Sequence, residues 1–84
     1  METLPETALQ KFARETHWCC IVLLMLSLEK GEETPVKAII DYLDEVIDAQ
    51  TDPDRRALAT RMRGRIGEQG FDLRPDAYAS LIAN

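Results

Sequence analysis

The sequence is poor in the residues from which active sites and covalent staples are made. It holds one histidine and two cysteines in 84 residues, and the cysteines, Cys19 and Cys20, are neighbours. A disulfide framework needs spaced cysteines, and adjacent residues on a helix do not meet the geometry of an S–S bond. Reduced thiols in a reducing, cytoplasmic compartment are therefore expected. His17 and Cys20 fall one turn apart on a helix, but a structural zinc site wants four ligands in paired spacings, and no second pair follows. Neither a metal nor a cofactor is expected, and both cysteines read as buried and inert. A glycine-rich phosphate loop, a nucleophile elbow and an inward-facing carboxylate pair are all missing. The expectation is a protein that is not an enzyme.

Two further shortages narrow the class. The longest apolar run, Trp18 to Leu28, covers 11 residues, against roughly 20 for a membrane-spanning helix. Glu29, Lys30 and Gly31 follow it without a small-residue cleavage site, so it reads as core and not as a signal peptide. Positive charge is also scarce: the formal net charge is −5. That field repels phosphate backbones, so direct binding to nucleic acid is disfavoured. Seven arginines against three lysines suit a short bacterial or phage chain, on composition alone.

What is present is helix signal. With 45% apolar and 30% charged residues, residues 1–84 are expected to form one folded helical domain with a modest core. Pro5 to about Lys30 reads as a long first helix, with Thr3 or Leu4 leading in and Gly31 as its stop. Its expected inner stripe runs Ala8, Leu9, Phe12, Ala13, Thr16, Cys19, Cys20, Leu23, Leu26, Ser27. Trp18, Ile21, Val22, Met25 and Leu28 then form a second apolar face. Thr34-Pro35 opens a second helix as cap and first residue. Its stripe is Val36, Ile39, Ile40, Leu43, Val46 and Ile47, with Tyr42 at the edge. Asp52-Pro53 repeats the device for a third helix, to about Gln69 before Gly70, with Leu58, Ala59, Met62 and Ile66 inward. Phe71 and Leu73 are expected to anchor the next link. A short helix from Arg74-Pro75-Asp76 points Tyr78, Leu81 and Ile82 inward. The fold expected is all-α, a small four-helix bundle with a long central first helix.

Four constellations stand out. Asp41, Asp44, Glu45 and Asp48 form an acidic stripe on the second helix, either a solvated face or one that complements a basic partner. Arg56, Arg61, Arg63 and Arg65 flank the apolar stripe of the third helix, where pairing with the acidic second helix competes with contacts to phosphate or an acidic partner. Ala57, Thr60, Gly64 and Gly67 make a smooth side on that helix. They imply either close approach of another backbone or an early helix end near Arg63. Trp18, Val22 and Met25 exceed what three other helices, one of them short, need to cover. They read as an interface with a partner or a second copy, in a homodimer. Together these point to a small acidic regulatory, inhibitory or adaptor protein that binds another protein. A nucleic-acid-associated transcriptional regulator using the third helix is the alternative.

Overall fold

The structure is a computed structural model and describes residues 6–82. Those residues are all-α, in four helices: α1 Ala8–Glu29, α2 Pro35–Ala49, α3 Pro53–Gln69 and α4 Ala79–Ile82. The first three, of 22, 15 and 17 residues, make the body, and α4 has four. None of them is long and apolar enough to cross a membrane.

Each helix end follows from local chemistry. The expected start at Pro5, with Thr3 or Leu4 before it, lies outside the described residues, and Glu6 and Thr7 are not helical. Thr7 caps α1 instead. Its hydroxyl accepts from the Gln10 N–H at 3.0 Å, while the Gln10 side chain accepts from the Thr7 N–H at 2.8 Å. This reciprocal box satisfies two of the amide donors that a helix start leaves open. At the other end Gly31 turns left-handed, φ 75°. Its N–H then reaches the Leu28 carbonyl at 3.1 Å and the Glu32 N–H reaches that of Ser27 at 3.0 Å, closing the last turn as a glycine stop should. Thr34 stands at the α2 cap position, with Pro35 next, but its hydroxyl makes no capping bond. Asp52 does cap α3, accepting from the Asp54 N–H at 3.3 Å. Gly70, at φ 81°, ends α3.

Gly64 and Gly67 lie inside α3, so the helix does not stop near Arg63. Nothing lies within 4 Å of where a side chain would begin at either glycine. Among the described residues no backbone of the chain approaches Gly64 or Gly67; Ala57, Thr60, Gly64 and Gly67 all face out, and the Thr60 hydroxyl donates to the Arg56 carbonyl of its own helix at 2.8 Å.

The core joins Ala13, Cys20 and Leu24 of α1 to Ile39 and Leu43 of α2 and Leu58, Met62 and Ile66 of α3. Leu43, Ile39 and Leu58 are fully enclosed, the pattern expected where apolar residues recur at i, i+3, i+4. Phe71, Tyr78, Leu81 and Ile82 pack against this core as partial cover. Leu73 does not anchor the link; it is 56% exposed, because the chain there turns on an Asp72–Arg74 clasp. Asp72 accepts both the Arg74 N–H at 3.0 Å and its guanidinium at 2.7 Å.

The roll of α1 differs from the expected one. The buried positions are Ala13, Thr16, His17, Cys20, Ile21, Leu24 and Ser27. Cys19 and Leu26, expected inside, are exposed, and Ile21, expected on the outer face, is buried. The cause is His17. Its Nε2 lies 2.7 Å from the Arg74 carbonyl oxygen, and a carbonyl only accepts, so Nε2–H is the donor. The ring also lies 5.3 Å from Phe71 and 6.0 Å from Tyr78, centroid to centroid. A satisfied, aromatic-packed histidine takes a core position that a polar residue would otherwise leave.

Candidate functional site

The residue after buried His17 faces outward. Trp18 is 46% exposed, Val22 51% and Met25 62%. These fall at i, i+4 and i+7, so they stack along one side of α1, and exposed Leu26 and Cys19 extend that side. A singly exposed leucine is ordinary, whereas a contiguous apolar strip with a tryptophan is the kind of surface that marks an interaction site. Trp18, Cys19, Val22 and Leu23 meet Tyr42 of α2 to form an open groove of 390 Å³ with almost wholly apolar walls.

The two thiols sit on opposite sides of this arrangement. Cys20 is enclosed, and burial, with the adjacent Cys19, pushes its thiol up to about 12, far from the thiolate that nucleophilic chemistry needs. Cys19 faces the groove and is not buried, contrary to expectation. Desolvation first, and the Cys19 thiol second, raise the Tyr42 phenol above its ordinary value. Its tip is therefore neutral in the groove wall. No group of three or more His, Cys, Asp or Glu side chains among the described residues is placed to hold a metal ion.

The acidic stripe divides. Asp41, Glu45 and Asp48 are exposed, and Asp41 pairs with Lys37 one turn away at 2.8 Å. Asp44 faces the other way, where it accepts from the guanidinium of Arg63 on α3. That pair is the expected α2–α3 pairing, and Arg63 alone of the four arginines makes it. Arg65 donates to the Ser80 hydroxyl at 2.6 Å and holds the C-terminal segment. Arg56 and Arg61 are exposed and without an ion pair among the described residues. Arg55 bonds Asp52 at 3.7 Å and lies 5.6 Å over the Phe12 ring. The structure thus separates the arginines into two that tie the fold and two that face solvent.

Between α1, α3 and the C-terminal segment lies a second hollow, lined by His17, Met62, Ile66, Phe71 and Tyr78, of only 30 Å³. That is room for about one or two waters, not for a substrate. Sequence reasoning named Trp18, Val22 and Met25 but missed Cys19 and Leu23 as groove walls. The one available signal was Tyr42, an aromatic at the edge of the α2 stripe. No family model, no curated protein and no solved structure matches the chain.

Proposed function

We propose that the chain is a small acidic regulatory, inhibitory or adaptor protein of the cytoplasm that acts without catalysis, by binding another protein. Within this reading α4 and the segment before it complete a small four-helix bundle on which α1 is displayed. The observation that carries it is the strip of Trp18, Val22 and Met25, 46–62% exposed on a helix whose opposite side is core. Tryptophan and methionine are enriched at interface centres, and a buried tryptophan anchor contributes about 2 kcal/mol or more to an interface. Exposed Asp41, Glu45 and Asp48 belong to α2, the helix that brings Tyr42 to the groove wall, and give a partner-facing side its charge selectivity.

The test compares proteins retained from source-cell lysate, after nuclease treatment, by the wild type and by Val22→Ser. The residue is half exposed, so melting should not change. The expected result is one or more proteins held by the wild type and lost by the variant. Identical retained sets would overturn the reading.

One observation supports a second reading, a nucleic-acid-associated regulator. Arg56 and Arg61 face solvent unpaired beside the smooth Ala57–Gly67 side of α3. Two free arginines against a net charge of −5 make a weak phosphate-binding footprint. Partners lost on nuclease treatment, and on Arg56→Glu with Arg61→Glu, would favour it.

A further inference from the structure

The groove between α1 and α2 is apolar inside and acidic at its edges. Glu29 lies one turn beyond Met25, on the same side of α1, and Glu45 lies one turn beyond Tyr42 on α2, by the i, i+3 and i+4 neighbour rule. Both are exposed, and neither has an ion pair among the described residues. Glu15 stands one turn before Trp18. Of the cations nearby among the described residues, Lys11 lies 3.9 Å from Glu15 and Arg14 pairs with Glu6 at 2.9 Å, while exposed Lys30 makes no ion pair with Glu29. Two unmatched carboxylates therefore bracket the apolar strip, on a chain of net charge −5.

That pattern selects among occupants. A second copy would bring the same acidic edges against each other and add its own −5, and like charges set face to face disfavour association. An acidic peptide meets the same repulsion, and a polar loop leaves the walls uncovered. An amphipathic helix with apolar residues at i, i+3, i+4 and i+7 fits a groove walled by side chains one turn apart, and lysine or arginine on its flanks meets Glu29 and Glu45. We infer that the α1–α2 groove receives a basic amphipathic helix of another protein, with Trp18, Val22 and Tyr42 taking its apolar face and Glu29 and Glu45 its cationic flanks. This inference rests on the protein-binding reading and adds to it the chemistry of the partner.

Cys19, in the groove wall, reports occupancy directly. The experiment follows alkylation of Cys19 in the whole chain with two synthetic helix-forming peptides. Both carry leucines at i, i+3, i+4 and i+7; one has lysine and arginine flanks, the other glutamate. Light scattering and the melting temperature are recorded alongside. The basic peptide should slow alkylation at least about tenfold relative to the acidic one, with protection weakening as salt rises. Glu29→Lys with Glu45→Lys, both surface changes that leave the core intact, should reverse the preference.

Equal protection by both peptides would overturn the inference, because charge would then not select the occupant, while leaving the protein-binding reading in place. A dimeric wild type whose Cys19 is already protected, and is freed by Trp18→Ala, would assign the groove to a second copy and overturn it too. Protection by neither peptide while Val22→Ser still loses its lysate partners overturns the inference alone. Protection by neither, with Val22→Ser retaining every partner, overturns both.

Discussion

The two sides of α1 are nearly equal in apolar content and opposite in fate. One side, through Ala13, Cys20 and Leu24, is sealed against α2 and α3. The other, through Trp18, Val22 and Met25, is left open to solvent. Hydrophobicity alone does not distinguish them, since Trp18 and Met25 are larger and no less apolar than Ala13 and Cys20. What distinguishes them is the existence of a matching surface elsewhere in the chain. The inner side meets Ile39, Leu43, Leu58 and Met62, whereas among the described residues the outer side meets Tyr42 at its margin. Burial is a property of pairs of surfaces, and among the described residues the open side has no matching member.

Substituting adjacent residues separates the two sides most sharply. Leu24→Asp places an unpaired charge among core side chains, a cost on the order of 4 kcal/mol or more, enough to unfold a domain of this size. Met25→Asp, one residue on, faces solvent and should change stability by about 0.5 kcal/mol or less. Thermal melting followed by circular dichroism gives the answer, and equal loss of helix in both variants would show that the sides are not distinct.

Cys19 and Cys20 give the same comparison without changing the sequence. Under native conditions Cys19 should be alkylated freely. Cys20 reacts only through opening of the fold, slower by a factor on the order of 10³ or more. Burial, which raises the Cys20 thiol to about 12, slows it further by keeping the thiolate scarce. Peptide mapping of partially labelled protein reads the ratio, and comparable labelling would place both thiols on one side.

The smallest effect concerns His17, on the inner side of α1. His17→Ala removes the bond to the Arg74 carbonyl and two ring contacts, and should cost about 1–3 kcal/mol through the orphaned carbonyl and lost packing. The loss should appear first as faster amide exchange in residues 71–82, with α2 and α3 protected as before. Unchanged exchange there would mean the segment is held without His17.

The ease with which these elements can be read from sequence varies for the same reason. In α2 only one side is apolar, so the spacing of Val36, Ile39, Ile40, Leu43, Val46 and Ile47 leaves one roll possible. Its helix bounds follow from Pro35 and the polar stop. In α1 the run from Trp18 to Leu28 is apolar on both sides, and the deciding contact joins His17 to a carbonyl 57 residues away. No local pattern contains that partner, and a lone histidine is easily assigned to a boundary. Hence Ile21 and Leu26 exchange places relative to expectation, and Cys19 faces out. The surplus that marks Trp18, Val22 and Met25 was visible as excess apolar surface. The groove was not, because Leu23, Cys19 and Tyr42 line up only once the roll is fixed. Arg63 and Arg65 likewise look equivalent to Arg56 and Arg61 until Asp44 and Ser80 are placed in space. For Phe71 and Leu73 the difference is the Asp72–Arg74 clasp, which turns one toward the core and the other away.

The His17 contact ties α1 to the segment of residues 71–82, in a hollow that shares no lining residue with the groove. His17 is the residue before Trp18, so the Arg74 carbonyl is held one residue from the groove wall. Were the groove occupied as inferred, any factor that a seated segment 71–82 contributed to affinity at Trp18 would return to the seating of that segment, because such coupling is reciprocal by thermodynamic necessity. Amide exchange in residues 71–82 would then read occupancy of the groove from the other side of the helix.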